Sequence, residues 1–185
     1  MILTHYHHKD EPPFQTLSAL SESEALSVIF DLGKRTGEVY HRFRNPQKYL
    51  RLRQATERWL RQEFIRKGGQ PLLDYPTYFV VEQATWIEAG YGGESNAIQI
   101  PLVAFKAEQV SFTYPDSMVS YWLKDQQDKV FYQPEYHGQV FDTTEIVRII
   151  NKFGMPAEAW QTDRTRKHDL FIEAQVWGNI PEPYS

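Results

Sequence analysis

The chain has no cysteine, only three methionines, and no apolar run approaching the roughly 18 residues that a membrane-spanning helix requires. Without cysteine there can be no disulfide, no thiolate nucleophile and no cysteine-ligated zinc. The first residues show no basic stretch followed by an apolar run and a small-residue cleavage site, so nothing signals export and a cytoplasmic protein is expected. Repeats, low-complexity tracts and flexible linkers are also lacking, and 185 residues read most simply as a single domain over 1–185.

Aromatic residues are abundant: 11 Tyr, 11 Phe and 5 Trp make up 15% of the chain. Such rings bring large buried areas, and their polar edges suit ligand pockets. The net charge of −4 hides an asymmetry, because residues 1–67 carry +4 and residues 68–185 carry −8. Local fields of this kind steer ligands more than the total charge does.

"ILTHYHH" (2–8) has the β-branched and aromatic content of a strand, stopped by the prolines of "EPPF". Ser21 with Glu24 forms a capping box that predicts a helix to about Arg35, with Ala25, Val28, Ile29 and Leu32 inward. Asn45 followed by Pro46 predicts the start of a second, long helix ending at Gly68-Gly69. Tyr49, Leu52, Ala55 or Thr56, Trp59, Leu60 and Phe64 trace its inner face. Lys48, Arg51, Arg53, Arg58, Arg61, Arg66 and Lys67 are expected on its outer face.

Beyond the glycines, four short runs read as strands: 77–82, 84–91, 98–105 and 109–114. "YPDSM" closes the last of them and predicts a short helix capped by Asp116 or Ser117. "FYQPEYHGQVF" reads as loop and strand. A second capping box, Asp142 with Glu145, starts a helix that Gly154 ends, and "DLFIEAQVW" (169–177) is a final strand. The expected fold is α+β, with helices segregated from a mostly antiparallel sheet and the N-terminal helices packed on it.

Four places carry candidate chemistry. His5 and His7 share one face of the first strand and His8 takes the other, which is the beginning of a metal site. No further histidine stands at ligand spacing, so no metal is expected, and the same residues serve equally as a strand edge. Glu173 lies between Phe171 and Trp177 on one face of the last strand. A carboxylate there is either solvated or held in a pocket with its pKa pushed up. At "FTYPDSM", Tyr114, Asp116 and Ser117 meet a helix start, whose amides can hold an anion or merely be capped. The basic helix could contact nucleic acid through Arg51, Arg53, Arg58 and Arg61, or be a solvated face.

The order of "LTHYHH", "YPTYFVVEQATW", "IPLVAF", "VSFTYPDS" and "FIEAQVWGNIP" resembles the ADP-ribosyltransferase fold, and most of all the DNA-targeting, DarT-type ADP-ribosyltransferase toxins of bacteria. The resemblance implies NAD as co-substrate and Glu173 as the catalytic glutamate, orienting the nicotinamide ribose and accepting a proton from the acceptor. It also implies His5 or His7 against the NAD, Tyr78 and Phe79 as a pocket wall, and Tyr114, Asp116 and Ser117 completing the contacts. "PPFQTLSAL", "FTYPDSM" and "YHGQVF" are similar to stretches in another group of bacterial proteins, a likeness that brings no chemistry with it. The rival expectation is a non-catalytic binding domain that uses helix 46–67 for protein or nucleic-acid contact.

Overall fold

The computed structural model describes residues 1–156 and 159–184. Five strands form its sheet: β1 (Ile2–His8), β2 (Thr77–Val81), β3 (Ser95–Pro101), β4 (Val110–Thr113) and β5 (Glu173–Val176), in the order β3-β1-β2-β5-β4. Every neighbouring pair is antiparallel. The register assigns each side chain to a face, because residues paired across strands point the same way. Leu3 pairs with Val81 and Ile100, and Ala174 with Phe79 and Phe112, so these share one face. Thr4, Val80, Glu173 and Thr113 share the other, with Tyr78, Gln175 and Ser111 one pleat away.

The first face carries the main core. Leu3, Phe79, Ile100, Val110, Phe112, Ile172 and Ala174 pack there with Tyr114, Tyr136 and Ile146, all at 1% exposure or less. Each large apolar side chain removed from water in this way contributes roughly 1.5–3 kcal/mol. Ile146 belongs to α5 (Thr143–Phe153), which opens on the expected capping box of Asp142 and Glu145.

Four helices lie toward the second face. α1 (Glu22–Leu32) starts on the Ser21/Glu24 capping box, and α2 (Pro46–Arg66) starts with Asn45 accepting the Lys48 amide. Leu60 and Phe64 of α2 pack on Trp177, at the end of β5. α3 (Thr85–Gly90) covers Val80 and Phe171 with Trp86 and Ile87. α4 (Ser117–Leu123) is capped by Asp116, which accepts the Val119 amide, and runs beside α2. At Gly138 (φ +69°) the loop after α4 passes so close to Lys124 that an added Cβ would stand 2.6 Å from the Lys124 Cα.

The α+β class and the mostly antiparallel sheet agree with the sequence expectations. Several elements differ. Residues 84–91, read as a strand, contain α3 instead, because Trp86 and Ile87 pack together, partly buried, against Ala84 and Phe171 only when the chain coils. The run at 98–105 is strand from Ser95 to Pro101 and then a 3-10 turn at Leu102–Ala104. Of 169–177, only Glu173–Val176 pairs in the sheet. "FYQPEYHGQVF" contributes a single bridge, Phe141 to Phe112. On the helices, Val28 and Leu52 are exposed at 40% and 36%, whereas Leu50 is buried.

Candidate functional site

Glu173 opens β5 on the helix-covered face. Its Oε2 accepts the Ser117 amide of α4 at 2.9 Å and stands 3.5 Å from the Gln175 amide nitrogen. Gln175 is itself fixed: its Nε2 donates to Thr113 Oγ1, and its Oε1 accepts from Ser111, whose oxygen in turn accepts the Trp177 indole N–H. A fully buried polar ladder thus runs up β4 and β5 and ends at Glu173.

The residue is partly exposed, but its carboxyl group is enclosed. Burial, and next the Asp116 carboxylate, push Glu173 up to about 7, against the pull of the Ser117 amide and the Arg42 charge. Asp116 is raised as well, by burial first, with the Val119 amide and Arg42 opposing. Arg42 comes from the 3-10 segment Glu38–Phe43 and is anchored by its Nε donating to the Val39 carbonyl at 2.9 Å. The result is two neighbouring carboxyl groups within the field of one guanidinium, one of them poised to exchange a proton near neutral pH.

Behind this pair lies a second charged cluster. Tyr78 donates its hydroxyl to Glu57 Oε1 at 3.0 Å, and Arg53 Nε lies 3.1 Å from the same oxygen. The Arg53 guanidinium stands 4.8 Å from the Tyr78 ring centroid and also donates to Ser18, Tyr49 and Thr16. Burial raises the Tyr78 phenol well above its ordinary value, so it remains a donor. Glu57 is only 3% exposed, and its Oε2 is buried without a hydrogen-bond partner.

Glu173, Tyr78, Asp116 and Ser117 therefore belong to one neighbourhood. The other expected site residues do not join them. His5 and Phe79 fall on the core face: His5 lies 5.4 Å from the Phe79 ring and 4.8 Å from Phe14. Both imidazole nitrogens of His5 are spent, Nε2 accepting the Phe14 amide at 3.0 Å and Nδ1 donating to the Tyr78 carbonyl at 2.9 Å. Burial, with His7 adding to it, holds His5 down at about 4, against the Tyr78 carbonyl. His7 stacks on the same side at 6.0 Å and donates Nδ1–H to the backbone carbonyls of His8 and Glu11. The pair clamps the turn after β1. Tyr114 also sits in the main core, its hydroxyl engaged with Arg166 and the Gly154 carbonyl.

Of the two readings of the α4 start, the cap is the one that forms, with Val119 donating to Asp116 and the Ser117 amide already taken by Glu173. One further expectation needs correction. Arg53 is not on the outer face of α2. It is 13% exposed and turned inward, because it lies one helical turn from Tyr49 and from Glu57 on the buried stripe. Of the remaining outward cations, Arg66 pairs with Glu63 and Lys67 with Glu145.

The sequence reading missed a buried network on the core side. Asp169, fully buried, accepts from Tyr136 at 2.7 Å, His137 at 2.9 Å and Arg166 at 3.2 Å. The His137 Nδ1 accepts the Gln133 amide, so this His–Asp pair has no free nitrogen for a substrate and holds loops together. No local signal announced it, since 32 residues separate His137 from Asp169. Among the described residues no cluster of three or more His, Asp or Glu could hold a metal ion, and no helix is long and apolar enough to cross a membrane.

No protein-family model matches the chain, and neither a curated protein nor a solved structure matches it at a significant level.

Proposed function

We propose that the protein is a group-transfer enzyme whose reaction centre is Glu173, with an NAD-type nicotinamide riboside as donor, in the manner of the ADP-ribosyltransferases. The observation that carries the reading is an enclosed carboxyl group, on a residue that is itself partly exposed, pushed up to about 7 by burial and by Asp116. Further support comes from the adjacency of β2 and β5, the strands that bear Tyr78 and Glu173 on one face.

The residues beside Glu173 fit such a donor through its hydroxyl groups. Asp116 and Glu173 offer carboxylate oxygens, and Arg42 adds a positive charge that both of them feel. His5, His7, Phe79 and Tyr114 have no part in this version of the site, since they stand on the other side of the sheet. The donor supplies a glycosidic bond whose cleavage leaves an electron-poor ribose carbon. Ionised Glu173 accepts hydrogen bonds from the ribose hydroxyls and offsets the positive charge that develops. It then takes the proton that the acceptor's O–H or N–H loses as its new bond to that carbon forms, and passes it to water. The Ser117 amide and the Gln175 ladder hold the carboxylate still.

Thermal melts with NAD, together with an assay for released nicotinamide, test the proposal. NAD is expected to raise Tm, and Glu173→Gln to lower nicotinamide release by about 10²–10⁴-fold. A melting temperature indifferent to NAD together with no release, or a Glu173→Gln protein as active as the parent, overturns it.

A further inference from the structure

Outside the Glu173 centre, α2 and α4 line a shallow, solvent-open hollow of about 300 Å³ bordered by Ala55, Arg58, Trp59, Gln62, Tyr121 and Lys124. That volume lies at the small end of ligand sites, which run from roughly 300 to 1,000 Å³. Trp59 and Tyr121 meet with ring centroids 5.6 Å apart and planes tilted by 55°, so the two rings form a partly open corner. Ala55 leaves space beside them. Lys124 Nζ lies over the Tyr121 ring at 4.8 Å from its centroid, and Asp125, its carboxylate partner among the described residues, is 70% exposed and can yield to a competing anion. Among the described residues no carboxylate lines the hollow itself.

We infer that this corner between α2 and α4 binds a nucleotide monophosphate, with the base stacked on Trp59, its edge toward Tyr121, and the phosphate held by Arg58 and Lys124. An aromatic platform beside two cations suits a planar ring that carries an anion. Base-on-aromatic stacking contributes regardless of base identity, and the guanidinium offers paired donors to phosphate oxygens. Neither a neutral aromatic nor a bare anion would use both halves. The inference is independent of the Glu173 proposal, since none of its residues takes part in that centre.

Binding of 5′-AMP, adenosine and inorganic phosphate, followed by calorimetric titration and thermal shift, tests it. AMP is expected to bind, with adenosine and phosphate each at least about ten-fold weaker. The Arg58→Ala/Lys124→Ala protein should melt like the parent without ligand and lose at least about ten-fold in AMP affinity. Glu173→Gln should bind AMP unchanged, which separates this site from the reaction centre. No binding of AMP, phosphate binding as tightly as AMP, or AMP affinity that survives loss of both cations would each overturn the inference.

Discussion

Burial acts on Glu173 and His5 with opposite sign, because one is charged when it loses its proton and the other when it gains one. Glu173 rises from 4.5 to about 7 on folding, so between those values the native state keeps a proton that the unfolded chain has released. Stability from this group therefore falls as pH rises from about 4.5 to about 7. His5 drops from 6.5 to about 4, so the unfolded chain binds the extra proton and stability falls as pH drops through that window. The two slopes oppose each other between about 4.5 and 6.5. Removing the Glu173 charge should expose its share. The Glu173→Gln protein is expected to gain on the parent as pH rises from 5 to 8, by an amount on the order of 2 kcal/mol at the top. Thermal melts across that range measure it, and a difference independent of pH would mean that Glu173 ionises normally. The face on which Glu173 points was legible in the alternation of "DLFIEAQVW". Its proton affinity was not, because Asp116 and the Ser117 amide reach it from more than 50 residues away.

At the level of elements, helix starts were the most legible feature. The capping boxes at Ser21/Glu24 and Asp142/Glu145 and the Asn45-Pro46 start all formed, since each needs only residues three or four apart. α2 shows where such reading fails. Tyr49, Arg53, Glu57, Leu60 and Phe64 follow one another at three- and four-residue spacing, so periodicity already placed Arg53 and Glu57 on the inner stripe. Their charge argued for the outside, and the pairing of the two with Tyr78 made burial tolerable. The consequence is an asymmetry between neighbouring arginines. Arg53→Ala leaves a buried carboxylate without its cation and should cost about 3–5 kcal/mol. Arg51→Ala, on the exposed side, should stay within about 0.5 kcal/mol. Urea denaturation separates the two, and equal midpoints would contradict the inward placement. α3 was misread for a related reason: an aromatic and β-branched run suits either state, and contact with Phe171 decided for the helix.

Across the whole molecule, one sheet separates two polar assemblies. The Glu173 neighbourhood lies under α2 and α4. The Asp169 network ties the loop at Tyr136-His137 and the turn at Arg166 onto the core side. Asp169→Ala strands the buried donors of Tyr136 and His137 and releases the partly exposed Arg166, and should cost about 3 kcal/mol, with Asp169→Asn milder because one acceptor oxygen remains. Chemical denaturation of both proteins measures the loss, and an unchanged midpoint for the alanine form would show that the network is dispensable.

What the amino-acid order determined by itself was local: where α1, α2 and α5 start, which residues of a strand alternate, and that the class is α+β. These depend on contacts only a few residues apart, whose physics is the same in any surroundings. What the tertiary structure decided was which of those faces meet. Thr4 pairs with Val80, and Val80 with Glu173. A slip of one residue between β1 and β2 would have turned His5 toward the carboxylate instead of away from it. That register is set by burying Leu3, Phe79 and Ala174 against a common core, a choice made jointly by residues spread over the whole chain, so no single stretch of it could announce the outcome.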